Sequence, residues 1–210
     1  MATRGITSIS WFLDTNVIGE PKAFDLIRMH DLGWIYLQTP DTVLNELTTN
    51  RDEAGRTRLL GLRKLFPISM GPHVLGRSTL GLSVIGSDLD QQQIEKIHLA
   101  LWQGAAFSED LDVGLNAAGL SGKGKSKEAR SRVGDTLIVQ TTLRYCKEAL
   151  VTEDQGLLSG ASRVRETVGN FYAHSIQDAT VLAMQACRRK RKLREAQIGK
   201  AWDSELPEWP

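Results

Sequence analysis

Residues 9–20 read ISWFLDTNVIGE, and this stretch decides the fold. Its first half is a short apolar run, which predicts a buried strand over residues 8–13. Asp14 is the first charged residue after that run. In an open parallel sheet, ligands bind outside the carboxyl ends of the strands, so a carboxylate at this position faces a binding crevice. The stretch therefore predicts an α/β fold with an acidic site at one edge of its sheet.

Three further acidic residues fit the same site. The run ALVTEDQGLL predicts a second strand over residues 149–152, and Asp154 follows it. Glu46 in TPDTVLNELTTN and Asp135 in RVGDTLIVQTTL fall on expected helices, one face of which would lie over the crevice. Four carboxylates in one pocket repel one another unless a cation offsets the repulsion. Oxygen-only ligands suit Mg²⁺ or Mn²⁺, so the pattern predicts a hard-metal site.

The rest of the chain alternates between strand and helix patterns. Further strands are expected over residues 34–37 and 171–173. One helix is expected to start at Pro40 with Thr39 as its cap, and one helical turn is expected at residues 156–158. The other expected helices cover residues 21–30, 52–65, 88–102, 135–146 and 177–191. Residues 67–86 predict loops or short extended pieces. Residues 108–132 predict a long mobile connection, because Gly, Ser and Lys dominate there. Strands separated by helices imply a parallel sheet with right-handed crossovers.

Basic residues are concentrated in two segments, although 26 Lys and Arg nearly balance 25 Asp and Glu over the chain. Residues 121–134 hold five basic residues and one acid, and residues 188–194 hold six basic residues and no acid. Such patches attract a phosphate backbone. A solvated linker is the alternative for the first patch, and a favourable helix C-terminus for the second. The expected nucleic-acid contacts are Lys123, Lys125, Lys127, Arg130 and Arg132.

Composition bounds the class of protein. A length of 210 residues fits one domain with an elaboration, and the two cysteines, Cys146 and Cys187, provide neither a disulfide framework nor a zinc site. The first residues lack the apolar core of a signal peptide, and no apolar run approaches membrane-spanning length. We expect a soluble, cytoplasmic protein that does not bind membranes. The four histidines lack a motif and are expected to be structural or exposed.

The strings LDTN, NEL, GDTLIVQTTL and LVTEDQGLL resemble, in order and context, the four acidic motifs of PIN-domain nucleases, the fold of VapC-type toxins. The resemblance covers residues 9–66 and 132–184. It implies a three-layer α/β/α fold with the strand before Asp14 at the centre of a parallel sheet, and metal-dependent cleavage of RNA. By position it assigns the metal-binding and catalytic set as Asp14, Glu46, Asp135 and Asp154. Two polar residues, Asn16 and Thr152, match positions that help to order the site.

One departure from the family is the spacing of the motifs. Glu46 and Asp135 are 89 positions apart, which is longer than in compact toxins, whereas Asp135 and Asp154 are 19 apart. We therefore expect a PIN-like domain over residues 1–192, with a helical and loop insertion at about 67–131, and a C-terminal tail over residues 193–210. The insertion leaves the metal site in place but casts doubt on the small-toxin interpretation, because it would reshape substrate access or partner binding.

The expected function is Mg²⁺- or Mn²⁺-dependent endoribonuclease activity on single-stranded or flexible RNA, in the role of the toxin of a toxin–antitoxin pair. A protein antitoxin and a second copy of the chain are the candidate protein partners. The alternatives are a non-catalytic RNA-binding or assembly module with the same fold, and a structure-specific DNA nuclease. Asp41, Glu153 and Asp178 are less favoured acidic neighbours, since Glu153 should point away from Asp154 and Asp178 should cap the last helix.

Overall fold

A computed structural model describes residues 9–43, 47, 53, 68–69, 88–116, 125–145 and 149–198. The strands are β1 (Ser10–Leu13), β2 (Tyr36–Pro40), β3 (Ile68–Ser69), β4 (Ala149–Val151) and β5 (Ala173–His174). A 3₁₀ turn (Pro21–Ala23) leads into α1 (Phe24–Asp31), and the other helices are α2 (Asp88–Leu101), α3 (Phe107–Asn116), α4 (Lys125–Arg144), α5 (Gln155–Val168) and α6 (Ile176–Ile198).

The sheet has the strand order β3-β2-β1-β4-β5, and every pairing is parallel. Phe12 in β1 pairs with Gln38 on one side and with Leu150 on the other. Strands covered on both faces read as continuous apolar runs, and β4 is buried along its whole length. The expected parallel sheet is confirmed, with the strand before Asp14 at its centre.

The helices form two groups beside this sheet. Helices α1 and α6 pack against each other, and they contact β2 and β5 respectively. Helices α2, α3, α4 and α5 form the second group, in which α4 contacts β2 and β4, and α5 contacts β5. The protein is therefore a mixed α/β structure whose parallel sheet is flanked by helices, which is consistent with a three-layer arrangement.

The hydrophobic core has two parts. The larger part surrounds the central strands and includes the fully buried Phe12, Leu37 and Leu150. A smaller cluster joins α2, α3 and α4 through Ile94, Phe107, Val133 and Leu137. Burying a side chain of this size stabilises a fold by about 1.5–3 kcal/mol. The second cluster therefore attaches α3 and α4 to α2, beside the sheet.

The expectation of a mobile connection over residues 108–132 was wrong for the two stretches that the structure describes, because α3 covers residues 108–116 and the first turns of α4 cover residues 125–132. Residues 117–124 lie outside the described residues. Asp135 accordingly lies in the middle of a helix and does not start one. The reason is that Lys, Glu, Ala and Arg form helices well without being apolar. Ala129 and Val133, four residues apart, are buried. Glu128 and Arg132 form an ion pair across one turn at 3.0 Å.

Smaller corrections concern where elements begin and end. Thr39 and Pro40 end β2 instead of starting a helix, and helical backbone begins at Asp41. The pairing of Thr39 and Pro40 with Ile68 and Ser69 of β3 overrides the helix-start signal of these two residues. Helix α5 has 14 residues instead of one turn, because Asp154 caps it and Leu157 and Val164 bury its apolar face.

Some of the other expected elements are confirmed or extended by the structure, and some lie outside the described residues. The helices expected over residues 21–30 and 88–102 are confirmed, the first with a 3₁₀ start. Helix α6 continues to Ile198, past the domain boundary expected at residue 192. Apart from residue 53, which is helical, the helix expected over residues 52–65 lies outside the described residues, as do most of residues 67–86 and the end of the tail. None of the described helices combines the length and apolar character needed to cross a membrane.

Candidate active site at the carboxyl edge of the sheet

Asp14 follows the central strand directly and is almost fully buried, at 3% exposure. Three groups donate to its carboxylate. The backbone N–H of Thr15 donates to Oδ1 at 2.6 Å, Asn16 Nδ2 donates to Oδ2 at 3.0 Å, and the Thr152 hydroxyl donates to Oδ2 at 2.6 Å. The Asp14 N–H donates to the carbonyl of Val151 at 3.0 Å. Both the backbone and the carboxylate of Asp14 are therefore held in one orientation.

Thr152 joins Asp14 to the second acidic motif. It follows β4, which pairs directly with β1, so the two residues lie side by side at the carboxyl edge of the sheet. Its hydroxyl also accepts from the backbone N–H of Asp154 at 3.0 Å and from Asn16 Nδ2 at 3.3 Å. Asn16 Oδ1 in turn accepts from the N–H of Glu153 at 3.0 Å. This geometry suits the ordering role that the resemblance implies for Asn16 and Thr152.

Asp154 caps the N-terminus of α5. Its backbone is extended and its Oδ1 accepts the N–H of Leu157 at 2.9 Å. The first N–H groups of a helix have no partner within the helix, and the Asp154 side chain satisfies one of them. A Cβ added at Gly156 would lie 3.0 Å from Asp154 Oδ1, which is closer than most Cβ contacts in proteins, so glycine leaves this carboxylate uncrowded.

Asp14 is a buried carboxylate with a second carboxylate, Asp154, nearby. Burial raises the pKa of Asp14 above its usual value, and the nearby charge of Asp154 raises it further, although hydrogen bonds from Thr152, Thr15 and Asn16 oppose both effects. A bound cation would favour the ionised form again. The carboxylates of Asp14 and Asp154 offer only oxygen ligands, and the charge of Asp14 is unfavourable because it is buried. Both properties fit a hard divalent ion.

Asp154 also lines a cleft of about 730 Å³, together with the half-buried Asp135. The walls come from the segment between α2 and α3, from one face of α4 and from α5. They include Leu101, Trp102, Gln103, Gly104, Ala105, Glu128, Ser131, Arg132, Gly156 and Arg163. The volume lies within the range of roughly 300–1,000 Å³ that is typical of ligand sites. Asp154 is thus shared by the pair at the sheet edge and by the cleft.

Three of the four expected acidic residues lie in one region of the structure, as two pairs that share Asp154. Asp14 and Asp154 are linked through Thr152, and Asp135 shares a cleft with Asp154. Glu46 lies outside the described residues. Within the described part of the chain, no three His, Cys, Asp or Glu side chains are close enough together to hold a metal ion. A complete metal site would therefore need Glu46, water or phosphate oxygens, or a closer approach of Asp135.

The basic residues expected to bind nucleic acid lie at the start of α4. Lys123 is outside the described residues. Lys125 and Lys127 belong to the first turn of α4, with side chains that are not described. Arg130 is exposed on the same helix. Arg132, farther along the same helix, lines the cleft. The RNA contacts of these residues stay a prediction.

Arg132 has a structural role that the sequence did not show. Its Nε and Nη2 donate to the two carboxylate oxygens of Asp110, both at 2.6 Å, and its Nη1 donates to Glu128 at 3.0 Å. The hydrogen bonds and charge of Arg132 lower the pKa of Asp110 despite its burial. Because two carboxylates already neutralise this guanidinium, a phosphate would have to compete with them.

His98 is a second residue whose role depends on the tertiary structure. Its ring is fully buried, with Nε2 at 2.9 Å from Asp110 Oδ2 and Nδ1 at 2.9 Å from the Thr136 hydroxyl. Burial lowers the pKa of His98, and the Asp110 contact opposes the shift. The side chain ties α2 to α3 and α4, one residue away from Asp135. This agrees with the structural role expected for His98.

Other acidic residues near the motifs have separate partners. Glu153 Oε1 accepts the N–H of Ile176 at 2.7 Å, so it caps α6 and does not join Asp154. The Ser175 hydroxyl accepts the N–H of Asp178 at 3.1 Å and donates to Asp178 Oδ2 at 2.8 Å, so Ser175 caps α6 and Asp178 only supports that cap, which differs from the capping role expected for Asp178. Asp41 follows β2 at the same sheet edge as Asp14 and is fully buried. Its position after a strand is the signal that marks it as a further acidic candidate.

Comparisons of the chain with protein-family models, with curated proteins and with solved structures found no match. The functional interpretation therefore depends on the residues and their geometry.

Proposed function

We propose that the chain is a Mg²⁺- or Mn²⁺-dependent endoribonuclease with a PIN-like fold, which hydrolyses phosphodiester bonds in single-stranded or flexible RNA. One observation carries this proposal. Asp14 and Asp154 follow adjacent parallel strands and are joined by the Thr152 hydroxyl, which contacts the carboxylate of one and the backbone of the other. Such placement at the carboxyl ends of strands is where α/β proteins bind ligands.

The residues that would hold the ion are Asp14, Asp135 and Asp154, with Glu46 as the fourth. When bound, the ion supplies positive charge for the phosphate and leaving oxygen and lowers the pKa of a water molecule. Asn16 and Thr152 fix the direction of the Asp14 carboxylate before the ion arrives. Since these contacts are already made, the site spends little free energy on reorganisation during the reaction.

The cleft supports the choice of a nucleic-acid strand as substrate. Asp154 and Asp135 line it, and α4, whose first turn contains Lys125 and Lys127, provides one of its walls. A flexible single strand can bend into such a cleft, whereas a duplex cannot follow it. The cellular role that we favour is that of a toxin controlled by a protein antitoxin. A neighbouring reading frame for a small DNA-binding protein would support that role.

The test is cleavage of a labelled single-stranded RNA by the purified chain with Mg²⁺, Mn²⁺ or EDTA. We expect Asp14→Asn, Asp135→Asn and Asp154→Asn each to lose at least about 10²-fold in rate, the scale for losing one preorganised electrostatic contact. Asp25→Asn is the matched control, because Asp25 is an exposed residue of α1, in the other helix group. Its rate should equal that of the wild type.

The same assay separates the alternatives. Cleavage that continues in EDTA, or wild-type rates in all three carboxylate variants, would refute the proposal. Cleavage of DNA in preference to RNA of the same sequence would identify a DNA nuclease. RNA binding without cleavage under any metal condition would identify a non-catalytic module.

A further inference from the structure

Arg163 lies at one end of a close contact between α5 and the C-terminal end of α2. Gly156, Gly160 and Arg163 share one face of α5, since residues three and four apart are neighbours on a helix. An added Cβ would lie 2.7 Å from Trp102 Cη2 at Gly156, and 2.8 Å from Leu101 Cδ2 at Gly160. The two glycines therefore let the end of α2 lie directly on α5, beside Arg163.

The Arg163 guanidinium is anchored without being neutralised. Its Nε donates to the carbonyl of Ala100 at 2.7 Å, and its Nη2 donates to the carbonyl of Leu101 at 3.1 Å. A guanidinium carries five N–H donors, so these contacts leave several unused. The carbonyls at a helix C-terminus carry only partial negative charge. The side chain keeps most of its positive charge while its position is fixed.

Arg163 differs in this respect from the other arginine of the cleft. Arg132 is paired with two carboxylates, from Asp110 and Glu128. Among the described residues that line the cleft, Arg163 is the cationic side chain that donates hydrogen bonds only to neutral backbone carbonyls. It lies in the same cleft as Asp154 and Asp135. The cleft therefore holds carboxylates together with one positive group that is available for an anion.

We propose that Arg163 binds a backbone phosphate of the strand that occupies the cleft; the inference deepens the function proposed above and rests on it. Arg163 is nine positions after Asp154, or roughly 13 Å along the axis of α5. It would therefore contact a phosphate other than the one being cleaved. The planar guanidinium suits bidentate contact with phosphate, and its two carbonyl anchors reduce the entropy lost when it binds. Arg163 is a binding residue here and takes no part in bond cleavage.

The test measures equilibrium binding of a fluorescent oligouridylate in EDTA at several salt concentrations. We expect Arg163→Gln to bind about tenfold more weakly, the equivalent of losing one charge-assisted hydrogen bond. The slope of log affinity against log salt should fall by about 0.7, the value for one phosphate contact on a single strand. Gly160→Ala is the matched control, because it disturbs the same contact between α2 and α5 but keeps the charge. Its slope should equal that of the wild type.

A purely structural Arg163 would give a different result. Arg163→Gln would then lower the melting temperature through lost capping, and the salt slope would stay at the wild-type value, which would overturn the inference. If circular dichroism shows that Arg163→Gln does not fold, Arg163→Lys decides the question. Lysine keeps the charge but not the planar fork. Severalfold weaker binding by Arg163→Lys supports the contact, and unchanged affinity overturns it.

Binding in EDTA also separates this inference from the nuclease proposal. A reduced slope for Arg163→Gln in a protein that never cleaves RNA would support the phosphate contact and refute the nuclease. Metal-dependent cleavage together with equal slopes for wild type and Arg163→Gln would support the nuclease and overturn the contact.

Discussion

Replacing Thr152 by valine removes the hydroxyl that joins the two acidic motifs and keeps the size of the side chain. The variant loses the donor to Asp14 Oδ2 at 2.6 Å and the acceptor for the Asp154 N–H at 3.0 Å. Thr152 has no exposed surface, so water cannot replace the lost contacts without rearrangement. The change therefore tests whether the link between the motifs is as strong as its geometry indicates.

The size of the effect follows from these two contacts. A hydrogen bond to a charged group contributes about 1.5–3 kcal/mol, and an unsatisfied buried N–H costs about 1–3 kcal/mol. Because both contacts belong to one network, they are not fully additive, and we expect a loss of about 3 kcal/mol. In a chain of this length, that corresponds to a fall in melting temperature of roughly 6–12 °C. Thr152→Ser keeps the hydroxyl and should lose only about 1 kcal/mol, for the missing methyl group.

Activity should change in a way that stability alone does not explain. The Thr152 hydroxyl lowers the pKa of Asp14, so its removal adds to the upward shift caused by burial. Since the ionised carboxylate is the form that binds a cation, the acid limb of the pH–rate profile should move to higher pH in Thr152→Val but not in Thr152→Ser. The assays are thermal unfolding at pH 7 and RNA cleavage as a function of pH. Equal stability and identical pH profiles for the valine variant and the wild type would refute the reasoning.

Two other substitutions test the walls of the cleft. Gly156→Ala places a methyl group 2.7 Å from Trp102 Cη2. Overpacking costs about 1–3 kcal/mol, and alanine gains about 1 kcal/mol in helix propensity, so urea denaturation should show a net loss of stability of about 1 kcal/mol. A more stable variant would contradict the tight contact. Asp110→Asn should cost about 3 kcal/mol at pH 7, because Arg132 and His98 lose a shared carboxylate. Because the pKa of Asp110 is lowered in the folded protein, the ionised Asp110 stabilises the fold at any pH above its usual pKa of 3.8, and this stabilisation is lost as the pH falls through the lower folded-state pKa. Urea denaturation should therefore show that the difference in stability between Asp110→Asn and the wild type disappears only in that acid range.

The sheet and its edge were predictable because their signals are local. A central strand covered on both faces is an unbroken apolar run, and an acidic residue shortly after it marks the carboxyl edge. That reasoning located Asp14 and Asp154 from a few neighbouring residues each. The pairing of β1 with β4 then puts Thr152 beside Asp14. In this part of the chain, secondary structure alone brings the polar residues together.

The cleft was not predictable in the same way. Its walls depend on the end of α2 lying against Gly156 and Gly160, and a glycine gives no sign in the sequence of which element will approach it. The partner of His98 is Asp110, on another helix. Apolar periodicity also missed the first turns of α4, where charged helix formers dominate. Arg163 looks like an ordinary surface arginine until the carbonyls of α2 are placed next to it.

The two parts of the site are supported by different structural elements. Asp14 is fixed by the sheet and by Thr152, whereas Asp135 lies on α4, which is tied to α2 and α3 through His98 and Asp110. Asp154 belongs to both parts, since it is next to Thr152 and lines the cleft with Asp135. Loosening α3 and α4 should therefore displace Asp135 more than Asp14 or Asp154. A cation held by all three carboxylates would bind more weakly in that case, so the stability of the helical group and the affinity for metal should be coupled.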